Sequence, residues 1–471
     1  MTADAVVLGA GLAGMLAAAA LARHPEIGAV TVVERDRLDA GPVSDGDDRR
    51  RAGTAPRQGL PQGRHAHVLM SSGVRAIEAL LPGTTDRWLA AGAHRIGLPD
   101  GYVMHLPQGW LPRWRGEQFV ISCSRGLLDW VVRQRLLELP EIRLISRTEA
   151  AGLCGDARAV TGARVRDRAS GVERVLDAAL VVDATGRGSR APHWLAALGC
   201  PPVDEDIVDS GLRYATRLFR APASLSAVVN VQADPAQDRP GQTAALMPIE
   251  NGQWLVTLSG TRGGQPSRAP EEFVPFAAGM RHPIVAELIA GLEPLTPVAV
   301  TNGTANRRRH FDRSPDWPDG FVVLGDAVAT YNPVYGHGMS VAALGATVLG
   351  AELSRRGLGL GLARAVQRRV AGSAAEAWGH ATGTDIRFPD AIGRAPTRVE
   401  RVLWRYQSRL MRTALDRPDV AREVIEVFTL SAPASRLLRP RVALATLRGP
   451  RRPPLDTPPF TPAERAALHL P

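Results

Sequence analysis

The chain has no lysine. All 57 basic residues among its 471 are arginine, which excludes any mechanism that depends on a lysine amine. Arginine in place of lysine, in a chain also heavy in Ala, Gly and Pro, is what a GC-rich coding sequence produces. The net charge of +10 is therefore weak evidence for a nucleic-acid partner, because the arginines are scattered and no DNA- or RNA-binding motif is visible. Cysteine is scarce: Cys123, Cys154 and Cys200 are odd in number and show no C-x-x-C spacing. That argues against a disulfide frame and a cysteine metal site, and points to idle thiols in a reducing cytoplasm. No apolar run is long enough to span a membrane. The apolar N-terminus has Asp4 where an export signal would carry basic residues, so a cytoplasmic location is expected.

What is present is a soluble globular composition, 45% hydrophobic and 22% charged, long enough for two or three subdomains. The organising stretch is GFVVLGDAVATYNPVYGHGM, Gly320 to Met339. Its order predicts a buried strand, an acidic tip at Gly325-Asp326, a tight loop through Pro333, Gly336 and Gly338, and then an Ala-rich helix. The Asp can accept hydrogen bonds from sugar-like hydroxyls, and glycines at a helix N-terminus leave N–H groups free for negative charge. A flavin, with its ribityl chain and anionic reduced ring, suits both features.

The N-terminus supplies the context. A strand over Ala5 to Leu8 runs into Gly9-Ala10-Gly11-Leu12-Ala13-Gly14, then a helix over Met15 to Arg23, then a second strand over Ala29 to Val33 ending in Glu34. In that setting the glycines give a tight turn, close approach to a pyrophosphate and helix-on-strand packing, while the acid binds a ribose hydroxyl. Two further segments converge on the same ligand. AALVVDATGRGSR carries Gly186 and Gly188 after an apolar strand, and Arg125 opens a helix where it can meet a phosphate or the flavin.

Elsewhere the pattern changes. Residues 35 to 58 lack apolar periodicity and read as a surface loop. Leu212 to Leu258 reads as antiparallel strands, a substrate wall. Phe273 to Leu292 reads as a helix. Arg398 to Leu415 is amphipathic, with Val399, Val402, Leu403, Tyr406, Leu410 and Met411 on one face; a helix capping the domain is the commoner reading of such a pattern, a membrane-surface helix the other. His65 and His67 lack a third ligand at metal spacing. The expected fold is α/β: a discontinuous FAD-binding Rossmann-like domain (1–80, 118–200, 305–373), an inserted mostly antiparallel β-sheet substrate domain (81–117, 201–304) and a C-terminal helical region (374–471).

Taken together, QGRHAHVL, LLPGTTDRWLAAGAHRIGLPDG, VVDATGRGSR, DSGLRYATRLFRAP, LMPIENGQWLVTLSGTRGG and GDAVATYNPVYGHGM resemble the flavin-dependent monooxygenases of the aromatic-hydroxylase fold, and within them the epoxidases of polyether antibiotic biosynthesis. The resemblance implies that Gly9, Gly11, Leu12, Ala13, Gly14, Glu34, Arg35, Arg125, Gly186, Asp326 and Gly338 hold FAD, with Pro333, Gly336 and Met339 in the segment beside the pyrimidine edge of the ring. It implies attack of a polyketide alkene on the distal oxygen of a flavin C4a-hydroperoxide, on a large apolar substrate, free or carrier-bound. The flavin would be reduced by NADPH directly or through a separate flavin reductase; the sequence leaves both open. No catalytic acid or base is singled out, since His65, His67 and His337 read as hydrogen-bonded loop residues. An aromatic hydroxylase is the alternative. A flavin halogenase resembles a family needing a lysine and a G-W-x-W-x-I-P stretch, both missing here, and a non-catalytic flavoprotein would not need a substrate sheet.

Overall fold

The computed structural model describes residues 2–38, 57–222, 225, 227–468 and 470. At its centre is a parallel sheet in the order Phe321–Val323, Leu180–Asp183, Ala3–Leu8, Ile27–Val33, Ile142–Ile145. These strands are short apolar runs because both faces are covered, one by helices such as Leu12–Ala22 and the other by the antiparallel sheet of Thr148–Gly155, Val160–Asp167 and Glu173–Asp177, so neither face needs polar residues. The register sets Leu8 beside Asp183 and Val33, and Asp183 beside Val323. As a result Gly9, Glu34, Ala184 and Gly325 all leave the sheet at one edge, the carboxyl ends of the strands, where open α/β sheets bind ligands.

Helix Leu12–Ala22 is buried almost all round, and its alanines let the helix Gly338–Arg356 approach closely: a Cβ on Gly350 would sit 3.5 Å from Ala20 Cβ. A seven-stranded sheet forms the second layer, in the order Ala299–Thr301, Arg213–Arg220, Gln253–Gly260, Gln242–Ile249, Val228–Val231, Tyr102–Leu106, Gly109–Trp110. All its pairings are antiparallel except that of Val228–Val231 with Tyr102–Leu106. The turn between Gln242–Ile249 and Gln253–Gly260 uses Asn251 and Gly252, both with positive φ, as a tight hairpin requires. One face of this sheet buries Phe219, Trp254 and Val256 under two short helices, Phe273–Ala278 and Ile284–Ile289. The single helix expected over Phe273 to Leu292 is thus two, because Pro283 cannot continue a helix entered from Gly279.

The C-terminal part is helical, with Leu362–Asp385 followed by Arg398–Ala414, Pro418–Phe428, Pro440–Arg448 and Pro462–Ala467. Helix Arg398–Ala414 starts from a capping box between Thr397 and Glu400. Its apolar stripe packs only at the C-terminal end: Leu410 is buried, while Val399, Val402 and Leu403 are exposed. The capping role expected for the whole face therefore holds for half of it. Among the described residues no helix is long and apolar enough to cross a membrane.

Candidate functional site

The glycine turn separates into packing positions and an open one. A Cβ on Gly9 would meet the Ala184 carbonyl oxygen at 2.5 Å, and one on Gly14 would overlap the Gly9 carbonyl. These two glycines let strand, turn and helix close together. A Cβ on Gly11 would meet nothing within 4 Å, and the same is true at Gly186 and Gly188. Leu12–Ala22 begins at Gly11 with no side-chain cap, and Gly338–Arg356 begins at His337 with none. Two helix N-termini thus offer uncapped N–H groups beside open space, which is what a bound pyrophosphate and an anionic ring require.

Glu34 is 5% exposed and already engaged. Its Oε2 accepts from Ala10 N at 2.7 Å, its Oε1 from Asp36 N at 2.9 Å, and Arg57 Nη2 lies 2.9 Å from Oε2. Arg57 also donates to the Ala10 carbonyl at 3.0 Å. A carboxylate has about four acceptor positions, so room for a ribose hydroxyl remains. Arg35 is exposed at the rim of this cluster, its Nε 3.2 Å from where a Cβ on Gly59 would stand. Arg125 is buried, donates from Nε to Asp129 Oδ1 at 2.9 Å, and joins Arg57, Arg64 and Arg133 around a cavity of ≈400 Å³ with an apolar floor of Leu218, Ile249 and Leu255.

Asp183, fully buried at the tip of its strand, accepts from Thr185 N, Thr185 Oγ1 and Ser189 Oγ at 2.6–2.9 Å and so shapes the Gly186 loop. Asp326 is different. Dense protein around it pushes its carboxyl up, against the pull of Arg125 and Arg187, yet one face stays open. Among the described residues its side chain accepts no hydrogen bond. Gly325 packs on Ala13, where an added Cβ would come within 2.6 Å of the Ala13 Cβ, and a Cβ on Gly338 would stand 3.9 Å from Asp326 Oδ1. Glycine turn, Asp326 and Gly338 therefore meet at one crevice whose open glycine and unpaired carboxylate fit an FAD pyrophosphate and ribityl chain. Met339, one residue further, is buried in the main core.

The loop after Asp326 leads to a second space. Asn332, Val334, Tyr335 and His337 form part of the wall of a cavity of ≈990 Å³ between the seven-stranded sheet and the C-terminal helices. Gly336 has φ of +70°, and a Cβ there would strike Val68. Beneath the loop lies a cluster that the sequence did not reveal. Asp385, 1% exposed, accepts from Tyr335 OH at 2.6 Å, Asn306 Nδ2 at 2.7 Å, Asn332 Nδ2 at 2.9 Å and the Ser210 hydroxyl. Tyr214 OH donates to Asn332 Oδ1 at 2.7 Å. The loop is thereby pinned to the end of helix Leu362–Asp385. Nothing in the local sequence pairs residues so far apart, whereas the Asp183, Thr185, Ser189 set was within reach of a D-x-T spacing.

The three loop histidines are hydrogen-bonded. His65 Nδ1 lies 2.6 Å from Thr216 Oγ1, His67 Nδ1 lies 2.8 Å from the His65 carbonyl, and His337 Nε2 lies 2.9 Å from the Phe428 carbonyl. Among the described residues no group of three His, Cys, Asp or Glu is placed to hold a metal. Burial lowers His65 and His337 to about 4. A histidine depressed on folding binds fewer protons folded than unfolded, so its stability contribution is full above the unfolded pKa and lost as pH falls from about 6.5 to 4. Each should cost about 2 kcal/mol near pH 5. Urea unfolding at neutral pH and near pH 5 should show a smaller acid loss in His337→Gln than in the unmodified protein; equal losses would contradict the burial of that imidazole.

No family model matches the chain. Protein Rv3254 of Mycobacterium tuberculosis is 32% identical over 400 residues, which cover 82% of this chain and 81% of that protein. Among solved structures, PqsL, a probable FAD-dependent monooxygenase from Pseudomonas aeruginosa, superimposes with a TM-score of 0.59 at 18% identity over 82% of this chain and 98% of its own. A flavoprotein/dehydrogenase from Cytophaga hutchinsonii gives 0.62 at 15% identity over 95% of this chain and 98% of its own. The flavin-dependent halogenase CmlS gives 0.61 at 15% identity over 100% of this chain and 76% of its own. The fold is the one these flavoproteins share.

Proposed function

The chain belongs to the family of Protein Rv3254, and we propose that it is an FAD-dependent monooxygenase acting on a large apolar substrate. The observation that carries this reading is a single loop, Asn332 to Gly338, which lines the ≈990 Å³ cavity at one end and reaches Asp326 in the cofactor crevice at the other. Such a volume lies at the upper end of ligand pockets, about 300–1,000 Å³. When bound and reduced, FAD activates O2 and supplies one electrophilic oxygen atom. The chain's residues do the rest. Gly11 and the helix N-terminus behind it receive the pyrophosphate, Asp326 accepts from the ribityl chain, and the N-terminus of Gly338–Arg356 favours negative charge on the ring. Leu106, Leu111, Trp378, Phe388, Met411 and Phe428 line the cavity and exclude water, which would otherwise divert the reaction to H2O2.

Within that class we assign epoxidation of a polyketide alkene. An alkene is nucleophilic as it stands, and the loop histidines are held by Thr216, His65 and Phe428, so the site provides position and dryness more than base catalysis. Aromatic hydroxylation is the second reading, favoured by the edge-to-face cluster of Tyr335, His337, His380 and Phe428 in the same cavity, which suits a planar ring. The absence of lysine disfavours halogenation. The experiment supplies reduced FAD, 18O2 and separate polyene and phenol substrates. One 18O in an oxirane is the expected product; an oxygenated ring without alkene turnover would establish the hydroxylase, and failure to bind FAD would overturn both.

A further inference from the structure

Helix Leu362–Asp385 and the residues just after it present one face to the large cavity, at Glu376, His380, Thr384 and Arg387. The charged groups around that cavity are almost all partnered. Arg394 Nη2 bonds Glu400 at 2.5 Å, Asp206 meets His310 Nε2 at 2.8 Å, Asp385 has its four donors, and Glu376 accepts from the Ala434 backbone. Arg387 is the exception. Among the described residues its guanidinium makes no hydrogen bond and no ion pair. Its guanidinium carbon stands 5.2 Å from the ring centroid of Trp404, which also lines the cavity.

A guanidinium half-buried in an apolar cavity with no carboxylate at ion-pair distance is costly unless something supplies the missing contact. Stacking on Trp404 holds the planar fork in place and leaves its N–H edge unspent, which is the preorganisation a bidentate acceptor needs. We propose that Arg387, held on Trp404, is the anchor for a carboxylate carried by the otherwise apolar substrate. A carboxylate fits better than a phosphate dianion for two reasons. Among the described residues one cation is free here, and Asp234, another cavity residue, is near enough to act on Arg387 electrostatically and would repel a dianion more strongly. The anchor fixes one end of the chain, so the oxygenated position is set by its distance from the carboxylate. This inference rests on the reading of the cavity as the substrate site.

Calorimetric titration of the FAD-loaded protein at neutral pH, with dodecanoate and with methyl dodecanoate, tests the assignment without requiring turnover. Dodecanoate should bind about 10- to 100-fold tighter than its ester, as one charge-assisted bidentate contact allows. Arg387→Met keeps the packing on Trp404 and should bring the two probes to within about twofold. Asp234→Asn should tighten dodecanoate and leave the ester unchanged, a gain that a disrupted fold could not produce. Equal binding of acid and ester to the unmodified protein, a preference that survives Arg387→Met, or no binding of either probe would each overturn the proposal. An acid preference lost in Arg387→Met, in a protein that never transfers oxygen, would uphold the anchor and defeat the monooxygenase reading.

Discussion

Gly11→Leu should abolish FAD binding while leaving the fold intact. The backbone at Gly11 has φ of −74°, which any L residue adopts, and a Cβ there meets no protein atom within 4 Å. A leucine therefore fits the protein alone and occupies the space that a pyrophosphate needs. The loss should exceed about 100-fold in affinity, because close approach of the phosphates to the helix N-terminus is lost as a whole. Flavin absorbance of the purified variant, read beside its thermal unfolding, checks both halves. Asp326→Ala removes one acceptor and should cost about 10- to 100-fold, as expected for a single charge-assisted hydrogen bond. Gly14→Val behaves oppositely to Gly11→Leu: its side chain would overlap the Gly9 carbonyl, so folding itself should fail. Full flavin content in a folded Gly11→Leu protein would place the cofactor elsewhere.

Asp385→Ala should be the most destabilising single change near the large cavity. Removing the carboxylate takes the acceptor from Tyr335 OH, the Asn332 amide and the Ser210 hydroxyl, and leaves the Asn306 amide only its longer bond to the Val208 carbonyl at 3.3 Å. At about 1–3 kcal/mol for each orphaned buried donor, relieved in part by relaxation, the cost should be about 3–6 kcal/mol, out of a total of about 5–15 for an ordinary domain. The Asn332 to Gly338 loop loses its anchor at the same time, so reducing equivalents should pass to H2O2 at the expense of product. Asp385→Asn keeps one acceptor oxygen and should fall between the two. Urea unfolding together with peroxide yield provides the check; a variant within about 1 kcal/mol of the parent would mean that the cluster does not hold the loop.

Local, contiguous features were legible in the sequence. A strand, three glycines, a helix and an acid within Ala5 to Glu34 can form little else, since each step is fixed by covalent neighbours and by the φ and contact distance that only glycine allows. The same holds for Gly320 to Met339, and for the alternating strands of the seven-stranded sheet. The break in Phe273 to Leu292 is also present in the sequence, as Gly279 and Pro283.

Tertiary structure decided the remainder, because it concerns which distant segments meet. The parallel register alone brings Gly9, Asp183 and Gly325 to one edge of the sheet. Glu34 finds Arg57, and Asp385 finds Asn306, Asn332 and Tyr335, across separations that no periodicity encodes. The apolar stripe of Arg398–Ala414 fixed a face but not what covers it, and half of it remains in solvent. Arg387 was one arginine among 57 until the fold set it on Trp404 with, among the described residues, no acid at ion-pair distance. Propensity and spacing act within about a helical turn or a hairpin, whereas the cost of an unpaired charge or an unfilled space depends on everything packed around it.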